Sequence, residues 1–172
     1  MSHSTIHDVL IIGLGPTGAT LANFLGAMGI DTVVIDREPD LLNLPRAVHF
    51  DGEVMRVFQN LGLAATLAPH LRPSSGMQYV NAAGLLMLER KPAAAHGPQG
   101  WATNYLFHQP DLEGSLRQGI ARFPSVTVHN SLEAQTLNLV GDHVEVTVQS
   151  GHLARSPETI RARWVVGCDG GP

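Results

Sequence analysis

The feature that most constrains this chain is a glycine-rich loop near its start, GLGPTG at residues 13–18. An apolar run at residues 9–12 precedes the loop, and apolar residues at helical spacing follow it. This order predicts a strand, a tight turn and a helix. In such a turn, Gly13 permits the bend, Gly15 leaves the backbone open to close approach, and Gly18 lets the helix lie against the strand.

A second apolar run, residues 32–35, ends in Asp36. The order of strand, glycine loop, helix, strand and acid is typical of a dinucleotide-binding unit. The helix N-terminus would offer backbone N–H groups and its positive dipole end to a pyrophosphate, and Asp36 would accept hydrogen bonds from a ribose. Pro16 suits the first helical turn because its missing N–H breaks no helical bond. The alternative is a set of ordinary turn glycines, which the acid after the second run does not favour.

The helix after the loop carries two kinds of residue that could face the core. Large apolar residues recur at helical spacing and are predicted to be buried: Leu21, Leu25 and Met28. A line of small residues on another part of the helix also suits close approach: Gly18, Ala22 and Gly26.

The rest of the chain alternates between helical and extended patterns. Helices are predicted at three places: residues 51–61, 64–71 and 112–120. In the first of these, one apolar face is predicted: Val54, Val57, Phe58 and Leu61. Extended segments are predicted at five places: residues 76–88, 126–128, 136–140, 143–148 and 163–168. Residues 91–100, with two prolines and two glycines, are typical of a loop.

Composition excludes several classes of function. Hydrophobic content of 44% and charged content of 15% indicate a globular chain of 172 residues, and the net charge of −4 does not favour nucleic-acid binding. No apolar run is long enough to span a bilayer, and the polar first residues predict no signal peptide. The single cysteine, Cys168, allows no intrachain disulfide and fits a cytoplasmic location. No Cys/His cluster indicates a metal site.

Four places together carry a more specific signal: the glycine loop with Asp36, PRA at 45–47, HQP at 108–110, and VVGCDG at 165–170. In this order they resemble the FAD-dependent aromatic hydroxylases, the single-component flavoprotein monooxygenases. The resemblance is strongest to the 3-(3-hydroxyphenyl)propionate hydroxylase and polyketide hydroxylase branch. The residues that carry this finer match lie between positions 45 and 62: Arg46, His49, Asp51, Glu53, Arg56 and Gln59.

The resemblance implies an α/β fold, a Rossmann-like FAD-binding domain of the glutathione-reductase type with a partial β-rich insertion. Residues 1–172 would form this domain, with the substrate-domain insertion at about 73–107 and a β-ribbon at 126–150. Relatives continue beyond the Asp-Gly motif at 169–170 to a second motif, Gly-Asp, that contacts the flavin. We therefore expect this chain to be the N-terminal part of a longer enzyme, not catalytically complete by itself.

The resemblance also implies which residues hold FAD. The predicted cofactor-binding residues are Gly13, Gly15, Pro16, Thr17, Gly18, Asp36, Arg37, Arg46, Gln109, Arg117 and Asp169. The glycine loop would hold the pyrophosphate and Asp36 the adenosine ribose. Arg46 would reach the pyrophosphate and flavin side, and Gln109 the ribityl–phosphate region. The remaining roles are a phosphate contact for Arg117, an adenine or ribose contact for Arg37, and FAD and NAD(P)H binding for Asp169.

Simpler interpretations of these polar residues stay open. Arg37, Arg46 and Arg117 could be solvated cations, Gln109 a helix cap, and Asp169 a turn residue. Cys168, which precedes the Asp-Gly motif, is predicted to fill space on a buried strand.

The activity implied by the resemblance is hydroxylation of a phenolic substrate. NAD(P)H would reduce FAD, and O₂ would give a flavin C4a-hydroperoxide that transfers oxygen to the ring. No residue of this chain is identified as catalytic. Two alternatives remain: an NAD-dependent dehydrogenase domain and a non-catalytic nucleotide-binding module. No nucleic-acid or membrane partner is expected, and open sheet edges are compatible with a homo-oligomer.

Overall fold

The computed structural model describes residues 5–44, 46–91, 94–150 and 156–170. The chain divides into two compact units, one formed by Met1–Asn43 with Glu113–Pro172 and the other by Leu44–Leu112. Within the described ranges, no helix combines the length and the apolar character that a membrane crossing needs.

Eleven strands and four α-helices make up the described part of the chain, with a short 3₁₀ helix at Ala68–His70. In chain order they are β1 (Ile6–Ile12), α1 (Pro16–Ala27), β2 (Thr32–Asp36), β3 (His49–Asp51), α2 (Gly52–Asn60), α3 (Ala64–Leu67), β4 (Leu71–Pro73), β5 (Met77–Val80), β6 (Leu86–Arg90), β7 (Asn104–Phe107), α4 (Gln109–Ile120), β8 (Val126–Asn130), β9 (Leu132–Val140), β10 (His143–Ser150) and β11 (Glu158–Gly167).

The first unit is built on a six-stranded sheet with the order β8-β2-β1-β11-β10-β9. Four neighbouring strands of this sheet run parallel: β8, β2, β1 and β11. Strand β10 pairs antiparallel with both of its neighbours, β11 and β9. From β1 the chain passes through α1 to β2 on one side, and β11 lies on the other side of β1. In open sheets of this kind, ligands bind beyond the carboxyl ends of the strands where the strand order reverses. Here that place is the end of β1 and β11.

One face of this sheet carries a hydrophobic cluster of the first unit. Leu10, Val33 and Ile35 of the parallel strands pack with Val146 and Val148 of β10. Successive side chains of a strand point to opposite faces, so the alternating valines of β10 place one face inward. The extended segment predicted at residues 143–148 is therefore confirmed, and its valines lie on the buried face of the strand.

The buried face of α1 differs from the prediction. Met28 is 71% exposed, and Leu21 and Leu25 are only partly buried. The residues that are buried are mostly small: Gly18, Ala19, Ala22, Asn23 and Gly26. A Cβ on Gly26 would lie 2.6 Å from the ring of Phe123, so close packing requires the small residue. The small-residue line was correct, and the prediction of a large apolar stripe was wrong.

The second unit contains a three-stranded antiparallel sheet, β3-β7-β4, and a separate two-stranded ribbon of β5 and β6. Phe50 of β3 packs against Phe58, Tyr105 and Phe107 with ring centroids 5.2–5.5 Å apart. Phe50, Phe58 and Tyr105 are buried in this unit together with aliphatic side chains such as Met55 and Leu67. The strands of the ribbon are exposed at every position. The assignment of residues 73–107 to a substrate domain stays a prediction.

Helix α2 begins where the sequence predicts it, because Asp51 caps its N-terminus. The Oδ1 atom of Asp51 accepts hydrogen bonds from the backbone N of Glu53 at 3.1 Å and of Val54 at 3.0 Å. Its predicted apolar face is only partly correct, since Met55 is 1% exposed while Val54 is 37% exposed. The helix predicted at 64–71 is shorter, and the chain becomes extended at Leu71.

Candidate functional site

Two glycines of the loop after β1 are required by the packing of the chain on itself. Gly13 has a φ of +100°, and a Cβ on it would lie 2.5 Å from the carbonyl oxygen of Cys168. A Cβ on Gly18 would lie 1.9 Å from the carbonyl oxygen of Gly13. Real side chains do not fit at these distances. Gly13 and Gly18 therefore serve the tight turn and the close approach of α1 to β1, as their sequence pattern predicts.

Gly15 is different, because nothing in the described structure requires a glycine there. Its φ of −69° and ψ of −173° are open to any residue, and no atom lies within 4 Å of the position that a Cβ would take. Gly15 is also the N-cap of α1, where Ser, Thr, Asp or Asn would satisfy a backbone N–H better. The structure shows no side-chain cap at this helix end. The packing of the described residues therefore does not account for a glycine at this position, and a pyrophosphate contact at Gly15 stays a prediction.

The neighbourhood of Gly15 suits an anion. Pro16 occupies the start of α1, and Thr17, in the same turn, is exposed. The first N–H groups of a helix have no acceptor within the helix, and the helix dipole adds positive potential at this end. A pyrophosphate is therefore compatible with this loop in both charge and space.

Asp36, at the end of β2, holds the glycine loop directly. Its Oδ2 atom accepts a hydrogen bond from the backbone N of Leu14 at 2.6 Å, and its Oδ1 atom accepts one from the backbone N of Glu38 at 2.8 Å. The sequence predicted a ribose acceptor here and did not predict these bonds. Each carboxylate oxygen can accept more than one hydrogen bond, so a ribose contact remains compatible with them. That contact stays a prediction.

The Asp-Gly motif after β11 lies against the same loop. The backbone N of Cys168 donates to the carbonyl oxygen of Ile12 at 2.6 Å, and the Cα of Asp169 would be 2.7 Å from a Cβ on Gly13. The side chain of Asp169 is exposed. The structure therefore brings together two motifs that are more than a hundred residues apart in the sequence. A role for Asp169 in FAD or NAD(P)H binding stays a prediction.

Cys168 packs beside the helix of this loop and is half-buried. Burial raises the pKa of its thiol, and the charge of Asp169 raises it further. Since the thiolate is the reactive form of cysteine, this residue is held in its unreactive form. The packing role expected from the sequence agrees with this environment, but the prediction of a buried strand was wrong, because Cys168 follows β11 and most residues of β11 are not buried.

Arg117 and Arg37 have partners of their own in the first unit. The Nη2 atom of Arg117 lies 2.7 Å from the Oε1 atom of Glu113, and these side chains are only 16% and 6% exposed. Sequence reasoning missed this pair, although its spacing of four helical residues is the spacing that predicts such an ion pair. Arg37 is 69% exposed and lies 3.4 Å from Glu38. The phosphate contact proposed for Arg117 would have to share the guanidinium with Glu113.

In the second unit, the side chain of Gln109 is hydrogen-bonded to the backbone at Arg46. Gln109 is buried at the start of α4, with 5% of its surface exposed. Its Oε1 atom accepts hydrogen bonds from the backbone N of Arg46 at 2.9 Å and of Ala47 at 2.8 Å. Arg46 itself is exposed. Pro45, which precedes it in the sequence motif, lies outside the described residues.

The part of the chain that the structure describes contains no cluster of side chains suited to hold a metal ion. No three side chains of the types His, Cys, Asp or Glu come together there as metal ligands. His49 pairs instead with Asn104, whose Oδ1 atom lies 2.9 Å from its Nε2 atom.

Comparison with known proteins gives the family of the chain. Residues 7–172 match the family described as FAD binding domain. The chain is 34% identical over 171 residues to a 3-(3-hydroxy-phenyl)propionate/3-hydroxycinnamic acid hydroxylase of Shigella sonnei, an alignment that covers 99% of this chain and 30% of that protein. It is 38% identical over 164 residues to a probable NADH-specific resorcinol 4-hydroxylase of Rhodococcus jostii, with 95% of this chain and 31% of that protein covered.

A solved structure with the same fold is that of p-nitrophenol 4-monooxygenase from Pseudomonas putida. Its TM-score is 0.86 at 22% identity, and the match covers 97% of this chain and 42% of that one. The chain therefore belongs to the FAD binding domain family, and the α/β fold of this type predicted from the sequence is confirmed. The resemblance to aromatic hydroxylases is confirmed as well. The chain spans 30% and 31% of the length of the two curated relatives.

Proposed function

We propose that this member of the FAD binding domain family is the cofactor-binding portion of a flavin-dependent monooxygenase that hydroxylates a phenolic ring. The co-substrates would be O₂ and NADH or NADPH. Two relatives support the substrate class, since their names specify a 3-hydroxyphenyl compound and resorcinol. The name of the second specifies NADH.

The observation that carries the cofactor part of this proposal is the open space at Gly15. Gly13 and Gly18 are explained by the packing of the chain itself, whereas Gly15 has open space around it and would be explained by a ligand that approaches the backbone. The pyrophosphate of FAD fits the charge at this helix end. Asp36 would orient the adenosine ribose while it holds Leu14, and Arg46 and Gln109 would contact the cofactor as their sequence motifs predict.

When bound, FAD supplies the redox chemistry that links a reduced nicotinamide to O₂. The residues of this chain would bind and orient the cofactor, and none of them is assigned to proton transfer or to the substrate ring. An NAD-dependent dehydrogenase is not favoured, because the family that the chain matches is an FAD-binding one. A nucleotide-binding module without catalysis is the remaining alternative.

Calorimetric titration of the purified protein with FAD, ADP and NADH tests the cofactor part. We expect FAD and ADP to bind, since both carry the pyrophosphate. Binding of NADH with no binding of FAD would contradict the proposal.

A second experiment tests the reaction. The protein is supplied with FAD, NADH or NADPH, and resorcinol or 3-(3-hydroxyphenyl)propionate, and products are identified by mass spectrometry. A hydroxylated product supports the substrate class. FAD binding without nicotinamide oxidation or product would limit the function of this chain to binding the cofactor.

A further inference from the structure

The loop that contains Arg46 has little regular structure to hold it. Residues 46–48 belong to no helix or strand. Three hydrogen bonds restrain them within their unit: the carbonyl oxygen of Val48 accepts one from the backbone N of Phe107 at 3.0 Å, and the side-chain oxygen of Gln109 accepts one each from the backbone N of Arg46 and of Ala47. The conformation of this loop therefore depends on the chain around positions 107–109.

The side-chain oxygen of Gln109 accepts two hydrogen bonds at the same time. A carboxamide oxygen has two lone pairs, and here both are used by two consecutive backbone N–H groups. Gln109 is buried, whereas Arg46 and Ala47 are exposed residues, so these hydrogen bonds anchor a surface loop to a buried side chain. Because one carboxamide holds two consecutive peptide groups in a segment that belongs to no helix or strand, these two bonds are strong determinants of the local backbone.

The side chains of Arg46 and Gln109 each leave a different group available to a ligand. The guanidinium of Arg46 makes no hydrogen bond or ion pair with any residue in the described ranges. The backbone N–H of Arg46 is hydrogen-bonded to Gln109, while its guanidinium remains available to a ligand. The oxygen of Gln109 is occupied, which leaves its Nε2 donor as the group that could reach a ligand.

We propose that Gln109 is a positioning residue that places Arg46 for the cofactor by holding the backbone at positions 46 and 47. This inference rests on the proposed FAD-binding function and deepens it. It changes the role expected for Gln109, because its main effect on the cofactor is exerted through Arg46. A direct contact through Nε2 would be an addition to that effect.

A double-mutant cycle on FAD affinity separates the two roles. The variants are Gln109→Met, which removes the acceptor at similar size, Arg46→Ala, and the combination of both. We expect Gln109→Met alone to weaken FAD binding on the order of tenfold, since it removes the shared acceptor of two partly buried hydrogen bonds. In the Arg46→Ala background the same change should have little further effect, because the residue that it positions is already absent.

Hydrogen exchange of the backbone amides at positions 46 and 47 gives a readout that does not depend on FAD. Gln109→Met should accelerate the exchange of both amides, whereas Gln109→Glu, which keeps an oxygen acceptor, should preserve their protection. Near-UV circular dichroism checks that the Met variant is folded. If the Met variant is not folded, the exchange measurement on the Glu variant still tests the proposal.

Three results would count against the proposal. Equal fold losses from Gln109→Met with and without Arg46 would overturn the positioning role and indicate a direct contact. Rapid exchange at positions 46 and 47 in the Glu variant would overturn it as well. If the unaltered protein binds no FAD, the proposed function fails and the positioning role fails with it, whereas the first two results leave FAD binding intact.

Discussion

Replacing Gly15 with serine should separate the stability of this fold from its capacity to bind a nucleotide. The backbone at Gly15 suits an ordinary residue, and the space that a Cβ would enter is open for 4 Å. Serine is among the preferred N-cap residues because its oxygen accepts a hydrogen bond from an N–H of the first helical turn. The fold should therefore accept Gly15→Ser, and a pyrophosphate at the same position should not.

The expected gain in stability has two parts. Replacing glycine where the backbone conformation is compatible contributes about 0.4–1 kcal/mol by restricting the unfolded chain. A serine cap is better than a glycine cap by a few tenths of a kcal/mol. For a chain of this length, a total of roughly 0.5–1.5 kcal/mol corresponds to a rise in melting temperature of about 1–6 °C.

The expected change in binding has the opposite sign. The added Cβ and Oγ atoms would occupy the space through which a phosphate reaches the backbone, so affinity for FAD and for ADP should fall at least about tenfold, or about 1.4 kcal/mol. Thermal unfolding of the cofactor-free protein and calorimetric titration measure the two effects separately. Loss of ADP binding would locate the effect in the nucleotide half of the cofactor.

Gly18→Ala is the matched control, since it adds one methyl group to the same loop. Its Cβ would lie 1.9 Å from a backbone oxygen, so it should lower stability by about 1–3 kcal/mol or more. Unchanged FAD affinity in a stable Gly15→Ser variant would refute the argument that Gly15 is reserved for a ligand. Strong destabilisation by Gly15→Ser would refute the claim that the fold tolerates a side chain there.

Three further perturbations test contacts within the first unit. Asp36→Ala should lower the free energy of unfolding by about 1–3 kcal/mol in urea titrations, because Leu14 N–H loses its acceptor, and Asp36→Asn, which keeps one acceptor, should cost less. Asn23→Leu should cost a similar amount, about 1–3 kcal/mol, since Asn23 is buried and donates to Leu116 of α4; no loss of stability would contradict its structural role. The pKa of Cys168 is raised in the folded state, so the unfolded chain loses the thiol proton at a lower pH than the folded chain does. The stability that this thiol contributes is therefore fully present below its ordinary pKa of 9.0, and it declines as the pH rises through the folded pKa. Cys168→Ala should remove that part of the decline, and an identical alkaline profile in the variant would contradict it.

Local patterns in the sequence predicted the elements that local physics controls. The glycine loop between β1 and α1, the cap of α2 at Asp51 and the alternation along β10 each depend on residues within one turn or one strand. Helix and strand periods, capping and turn conformations are properties of short segments. These features could therefore be predicted before the fold was known.

The partners of polar side chains could not be predicted in this way. Gln109 binds the backbone at Arg46 across 63 residues, and Asp36 binds Leu14 across 22 residues. Each residue was assigned to a ligand because the sequence shows its type and its motif. The bonds to the backbone appear only when the chain path brings a donor within reach.

The sequence by itself determined that a strand, a glycine loop, a helix and an acid follow one another, and thereby the family and its cofactor class. The tertiary structure decided which of those glycines the fold needs. Gly13 and Gly18 meet backbone atoms, while Gly15 meets none. It also decided that α1 buries its small residues and that the Asp-Gly motif lies against the loop. The physical reason is that close approach is a property of two surfaces, and a sequence pattern describes only one of them.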